Sequence, residues 1–128
     1  MAQPIRVVLV EDNQVFREAL ELLLGLRSDV DVVAAVGDGA EAADVCAALQ
    51  PDVVLMDYRL PGLDGVEATR AVLARSPDVA VVCLTAAANE REQAALLDAG
   101  AKACLHKDQD LDDIVRAIHE AAGGAQRS

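Results

Sequence analysis

Short apolar runs alternate along this chain with longer amphipathic segments. There are five such runs, almost free of polar residues, and all but the last, which is short, are rich in valine. They cover Ile5–Val10, Val30–Val36, Asp52–Met56, Val79–Leu84 and Ala103–Leu105. Uninterrupted runs of this kind are typical of strands that a parallel sheet buries on both faces. The pattern therefore predicts five parallel strands.

The segments between these runs have the spacing of helices. Gln14–Leu26 carries a broad apolar stripe at the helical period. Three further helices are expected over Gly65–Arg75, Asn89–Ala99 and Asp110–Ala122, and another opens with a capping box at Asp38–Glu41 and stops before Pro51. Asn13 and Asp64 are expected to act as N-caps. The last two helices are expected to end at Gly100 and at Gly123-Gly124.

This alternation predicts an α/β fold. Because strand–helix–strand crossovers are right-handed, the result is a (βα)5 doubly wound parallel five-stranded sheet with helices on both faces. The flavodoxin-like strand order 2-1-3-4-5 is the natural solution for five strands. Residues 1–122 are expected to form one domain, and residues 123–128 a C-terminal tail or the start of a linker.

Composition and net charge limit the kinds of molecule that the chain is expected to bind. The chain has 128 residues, with 11 Lys and Arg against 22 Asp and Glu, and a formal net charge of −11. A surface this acidic repels both a phosphate backbone and an anionic membrane, so we expect neither as a direct partner. The N-terminus lacks a secretory signal pattern, and the three cysteines form no paired motif. These features predict a cytoplasmic protein.

Chemically active side chains follow four of the predicted strands. Ligands of doubly wound sheets bind beyond the carboxyl ends of the strands. The residues there are Glu11, Asp12, Asp57, Thr85 and Lys107. Three neighbouring carboxylates require a cation, and hard oxygen ligands favour Mg²⁺. A metal beside a carboxylate and an ammonium predicts phosphoryl transfer onto the carboxylate.

The same edge of the sheet excludes the common nucleotide sites. The first strand is followed by Glu-Asp-Asn-Gln, with no glycine-rich turn to hold a dinucleotide. The two carboxylates there would also repel the phosphate of a flavin. No His, Cys or Ser is placed as a second nucleophile, so the site can accept a phosphoryl group but is poorly equipped to pass it on. We interpret it as a switch and not as an enzyme with turnover.

Four sequence blocks add a resemblance to a known family. They are VLVEDN at 8–13, VLMDYRLPGLDG at 54–65, LTA at 84–86 and AGAKACLHKD at 99–108. In this order, they resemble the receiver (phosphoacceptor) domain of two-component response regulators over essentially the whole chain. The resemblance implies a sensor histidine kinase as partner, and a homodimer is a further expectation. Lys107-Asp108 and the Arg-Leu-Pro-Gly after Asp57 resemble the subfamily with a C-terminal four-helix helix-turn-helix output domain, which implies control of transcription.

The resemblance also implies a role for each residue of the site. Asp57 would be the phosphorylated aspartate. The metal ligands that it implies are Glu11, Asp12, Asp57 and the backbone carbonyl of Arg59. The residues that it implies for phosphoryl binding and switching are Thr85, Ala86 and Lys107.

One departure from the family keeps an alternative open. The position three before the lysine is usually Tyr or Phe in the family, and here it is Cys104. A small thiol cannot swing as a ring does, so the chain could instead be a phosphorylation-independent protein-interaction module on the same fold. A third hypothesis, an aspartate-nucleophile phosphatase, needs a general acid two residues after Asp57, where Arg59 stands and cannot deprotonate.

Overall fold

The computed structural model describes residues 3–58, 64–86 and 89–126. Its strands are β1 (Ile5–Val10), β2 (Val30–Val36), β3 (Val53–Asp57), β4 (Ala80–Thr85) and β5 (Ala103–His106). Its helices are α1 (Gln14–Gly25), α2 (Gly39–Leu49), α3 (Gly65–Arg75), α4 (Glu90–Asp98) and α5 (Leu111–Gln126). All strand pairs are parallel and the order is β2-β1-β3-β4-β5, which confirms the predicted fold.

Two hydrophobic cores lie on opposite faces of the sheet. Because side chains alternate along a strand, Val7 and Leu9 of β1 join the core beneath α1 and α5, whereas Val8 and Val10 join the core beneath α2, α3 and α4. All five residues of β3 and all six of β4 are buried. The unbroken valine runs of the sequence therefore reflect strands covered on both sides.

Three strands, β3, β4 and β5, end one residue later than the sequence pattern predicts. The β3–β4 ladder continues to the pair Asp57 and Leu84, and the β4–β5 ladder continues to the pair Thr85 and His106. Polar residues at these positions looked like the first residues of loops, but their backbones still belong to the sheet. Asp57 and Thr85 are consequently held by a rigid strand and not by a loop.

The predicted end of the last helix is wrong, since α5 continues through Gly123 and Gly124 to Gln126. Its buried face extends to Ala121 and Ala122, and this packing outweighs the helix penalty of about 1 kcal/mol for each glycine. The other predicted helix ends agree with the observed ends to within about one residue. One of them is set by Gly100, whose φ of 117° terminates the helix before it.

The predicted N-caps are confirmed. The side chain of Asn13 accepts from the Phe16 amide, and that of Asp64 accepts from the Glu67 amide. Asp38 caps α2, but its side chain accepts from the Ala40 amide and the reciprocal capping box predicted with Glu41 is not formed; the reciprocal box is found at Asn89 and Glu92 of α4. Within the described residues, no helix has the length and apolar character needed to cross a membrane.

Candidate functional site

The carboxyl edge of the sheet brings the predicted acidic residues and the lysine together. Glu11 follows β1, and its amide still donates to the carbonyl of Val36 at 2.9 Å, so the β1–β2 ladder fixes its backbone. Asp57 ends β3, and Lys107 follows β5, with its amide donating to the carbonyl of Thr85 at 2.9 Å. Residues far apart in sequence therefore meet because neighbouring parallel strands end at the same edge.

Lys107 bridges two buried carboxylates. Its Nζ lies 2.7 Å from Oε1 of Glu11 and 3.2 Å from Oδ2 of Asp57. Glu11 is 1% exposed and Asp57 is 4% exposed, whereas Asp12 is exposed. The site thus has two carboxylates and an ammonium inside the protein, and one carboxylate at its mouth.

Burial and charge set the protonation of this cluster. Burial and the neighbouring Glu11 carboxylate raise the pKa of Asp57 to about 7, against the opposing effect of Lys107. Burial by itself would lower the pKa of Lys107, but the hydrogen bond to Glu11 and the charge of Asp57 outweigh it and raise that pKa. Without a further cation, Asp57 is therefore only partly ionised near neutral pH.

The cluster has the donor chemistry of a magnesium site. Glu11, Asp12 and Asp57 can each offer one carboxylate oxygen, and these atoms all lie within 4.8 Å of one another. Oε1 of Glu11 faces the Lys107 ammonium at 2.7 Å, and a carboxylate oxygen with one such contact keeps a second lone pair for a metal ion. Hard oxygen donors with one exposed member suit a divalent ion that retains water ligands. The residues present therefore fit Mg²⁺.

Gly65, the first residue of α3, packs closely against the backbone at the end of β3. Its amide donates to the carbonyl of Tyr58 at 2.7 Å. A Cβ built at Gly65 would lie 2.7 Å from Cα of Tyr58 and 3.0 Å from the carbonyl oxygen of Asp57. Both contacts are with backbone, so no side chain can move aside to accept a methyl group.

We therefore expect Gly65→Ala to lower the free energy of unfolding by about 1–3 kcal/mol through local overpacking. Urea unfolding followed by circular dichroism measures this. Gly25→Ala is the matched control, because a Cβ there meets nothing within 4 Å. It is expected to be neutral or to stabilise α1 by up to about 1 kcal/mol. Equal stability of the Gly65→Ala and Gly25→Ala variants would contradict this account.

Thr85 and Cys104 lie on neighbouring strands beside the cluster. Thr85 is 1% exposed, and its Oγ1 has no hydrogen-bond partner among the residues that the structure describes. Ala86 follows it and is exposed. Cys104 is half-buried, stands in register with the buried Cys83, and packs against the core beneath α2, α3 and α4. A buried hydroxyl without a partner is costly, so its position at this edge requires an explanation.

One sequence prediction lies outside the described residues. The backbone carbonyl of Arg59, which the resemblance implies as a metal ligand, falls in the range 59–63. One contact was missed from sequence: the Phe16 ring lies with its centroid 4.9 Å from Nζ of Lys107. The sequence held a partial signal for this contact, because Phe16 is the only Phe in the chain and lies about one helical turn after Asp12. The ring makes a cation–π contact with the ammonium.

A flavodoxin-like sheet that carries an acidic pocket and a facing lysine at its carboxyl edge defines a class of α/β signalling domain. Residues 7–119 match the family described as the response regulator receiver domain. The chain belongs to this family. Receiver domains are signalling switches that interact with sensor histidine kinases and generally bind Mg²⁺ at an acidic pocket.

Individual relatives agree with this assignment. The transcriptional regulatory protein DegU of Brevibacillus brevis is 37% identical over 120 residues, which make up 94% of this chain and 51% of DegU. The corresponding values for LnrK of Bacillus subtilis strain 168 are 38%, 94% and 54%. The solved receiver domain of NarL from Mycobacterium tuberculosis is 35% identical with a TM-score of 0.90, covering 96% of this chain and 99% of that one. The chain spans about half the length of the curated relatives it matches.

Proposed function

We propose that this chain is a phosphoacceptor switch in which Asp57 receives a phosphoryl group from a sensor histidine kinase in a Mg²⁺-dependent reaction. The observation that carries the proposal is the position of Asp57, buried and within 3.2 Å of the Lys107 ammonium and beside Glu11. We further propose that the output is transcription, through a DNA-binding domain outside this stretch of sequence. The relatives named transcriptional regulators support that part.

The chemistry assigned to these residues is an in-line displacement. A carboxylate oxygen of Asp57 attacks phosphorus, and the P–O bond forms as the P–N bond of a phosphohistidine breaks. The bonding electrons return to the imidazole nitrogen of the donor. Glu11, Asp12, Asp57 and the Arg59 carbonyl would hold Mg²⁺, which would supply positive charge for the phosphoryl oxygens. Lys107 supplies a second positive charge from the protein side.

The pKa of Asp57 gives this proposal a pH dependence. Only the ionised carboxylate is a nucleophile, and burial together with Glu11 raises its pKa to about 7. A bound divalent cation favours the ionised form and so lowers that pKa. The acceptor is therefore activated by the same cation that the transferred group requires.

The switching step is assigned to Thr85, Ala86 and Lys107. In the proposal, the buried Thr85 hydroxyl donates to a phosphoryl oxygen on Asp57, which supplies the partner that it lacks among the described residues. The amide of Ala86 can donate to a second phosphoryl oxygen. These contacts exist only in the phosphorylated form, so they shift the population toward the active conformation.

The proposal also covers the catalytic scope of the chain, its location and its oligomeric state. The chain catalyses its own phosphorylation and dephosphorylation and is not an enzyme acting on other substrates. A cytoplasmic location and a homodimer are predictions that belong to the same proposal. Direct contact with nucleic acid is not expected from this domain, because its net charge is −11.

Cys104 favours one competing function, a phosphorylation-independent interaction module. The residue that usually couples the switch hydroxyl to the surface is absent, and a half-buried thiol occupies its position. This alternative predicts equal partner binding by the wild type and by Asp57→Ala. The phosphoacceptor proposal predicts that phosphodonor treatment changes partner binding by the wild type alone.

The chemical nature of the modification tests the proposal. After incubation with a radiolabelled small phosphodonor and Mg²⁺, we expect one label per chain that neutral hydroxylamine removes, because the product is an acyl phosphate. A chelator is expected to prevent labelling. A label that survives hydroxylamine would instead indicate a hydroxyl ester and would exclude Asp57 as the acceptor.

A further inference from the structure

Arg17 on α1 reaches back to the backbone between the two acidic residues that follow β1. Its Nη1 donates to the carbonyl oxygen of Glu11 at 2.6 Å. This carbonyl lies beyond the last pair of the β1 ladders, which end at Val10. Arg17 makes no ion pair with an acidic residue among those the structure describes. Its guanidinium therefore binds a backbone carbonyl, although the chain has 22 Asp and Glu side chains.

The peptide that Arg17 holds joins two of the three acidic residues of the cluster. Glu11 and Asp12 are consecutive, so the orientation of the peptide between them sets the directions of both side chains. The other bonds at Glu11 do not involve its carbonyl: its amide donates to Val36, and its Oε2 accepts from the Asn13 amide at 3.0 Å. The Arg17 bond fixes the remaining carbonyl.

Gly37 provides the space for this contact. A Cβ at Gly37 would lie 2.9 Å from Nη1 of Arg17, and 3.6 Å from the Glu11 carbonyl oxygen. The backbone of Gly37 is not in the left-handed region, so alanine is compatible with its conformation. The atom in the way is the far end of a flexible side chain. Gly37→Ala should therefore displace the guanidinium while leaving the fold and the charge of Arg17 in place.

We propose that Arg17 is a positioning residue that holds the Glu11–Asp12 peptide in the orientation required for Mg²⁺, with Gly37 as the gap that admits it. This inference rests on the proposed function, since it concerns the same metal site. Partners that orient metal ligands typically contribute about 10-fold or more to metal affinity. A guanidinium acting only through its charge would have the opposite effect, because its removal would make the site more attractive to a cation.

The test is a Mg²⁺ titration of the full chain, followed by amide chemical shifts of residues at the cluster. We expect Arg17→Gln and Gly37→Ala each to raise the Kd for Mg²⁺ by about 10-fold, and Arg17→Lys by less. Arg116→Gln removes an exposed arginine of α5, and Gly25→Ala adds a methyl group in open space. These two controls are expected to leave the Kd unchanged.

Phosphorylation rates at limiting and at saturating Mg²⁺ distinguish a positioning role of Arg17 from a general loss of structure. At limiting Mg²⁺, phosphorylation of Gly37→Ala by acetyl phosphate should be slower than that of the wild type, and saturating Mg²⁺ should restore it. The inference is wrong if Gly37→Ala binds Mg²⁺ as the wild type does, or if Arg17→Gln binds it more tightly. Failure of the wild type to bind Mg²⁺ would overturn the proposed function as well, and is seen before any variant is compared. If Arg17→Gln does not fold, Gly37→Ala and Arg17→Lys still decide the question.

Discussion

Asp57→Asn is expected to be more stable than the wild type in metal-free buffer, by about 1–3 kcal/mol at pH 8. The substitution removes a buried carboxylate that lies beside Glu11 but keeps its shape, and Lys107 remains paired with Glu11. The gain depends on pH because burial and Glu11 raise the pKa of Asp57 to about 7. The proposed phosphoacceptor is therefore held in the fold at a cost in stability.

The sign of the pH dependence follows from linkage. A carboxyl whose folded pKa lies above its unfolded value of about 3.9 binds protons more strongly in the folded state. Its stabilising contribution is present below about pH 4 and is lost as the pH rises through 7. The stability gap between Asp57→Asn and the wild type should therefore widen from pH 5 to pH 8, measured by urea unfolding.

Addition of Mg²⁺ gives the complementary result. Because a ligand that binds only the folded state stabilises it by mass action, Mg²⁺ should raise the stability of the wild type more than that of Asp57→Asn. The gap at pH 8 should then narrow or close. A gap that is independent of both pH and Mg²⁺ would show that Asp57 has no electrostatic strain in the folded protein.

Lys107→Ala is expected to lower the free energy of unfolding by about 3 kcal/mol at pH 8 in the absence of metal. Removal of the ammonium leaves the Glu11 and Asp57 carboxylates buried without a cation, and breaking one partner out of a buried pair is strongly destabilising. The loss should be smaller at pH 5, because Asp57, whose pKa is raised to about 7, is then protonated and needs no counter-charge. Mg²⁺ should also reduce it.

Two variants control for the charge and for the lysine itself. Lys107→Arg keeps the charge, and its stability should lie much closer to that of the wild type. Lys102→Ala removes the other lysine, which is exposed, and should change stability by less than about 0.5 kcal/mol. If Lys107→Ala and Lys102→Ala have the same effect, the buried cluster does not depend on Lys107 for its stability.

The fold could be predicted from the sequence because the strands are buried on both faces. Continuous valine runs such as Ile5–Val10 leave little choice between a central strand and a surface element. The ends of elements were predicted less well. The sheet extends one residue further at Asp57 and Thr85 because backbone pairing does not require apolar side chains, and α5 passes through Gly123 because packing outweighs local propensity.

The acidic cluster could also be predicted, because a parallel sheet places the residues after its strands at one edge. What the sequence did not reveal is the set of contacts that orient the cluster. The bond from Arg17 to the Glu11 carbonyl and the Phe16 ring beside Lys107 depend on side-chain conformations and on the gap at Gly37. The spacing of Phe16 after Asp12 was a partial signal for the contact of its ring with Lys107, but no spacing rule encodes the Arg17 bond, which depends on where α1 lies against Gly37 in the loop after β2.

The central claim is that Asp57 accepts one phosphoryl group, and intact-protein mass spectrometry after incubation with acetyl phosphate and Mg²⁺ tests it most directly. The chain has no Trp for a fluorescence assay, which is a further reason to measure its mass. The account predicts that the wild type gains the mass of a single phosphoryl group, and that Asp57→Ala and a wild-type sample treated with a chelator gain nothing. Modification of Asp57→Ala to the same extent as the wild type would contradict it.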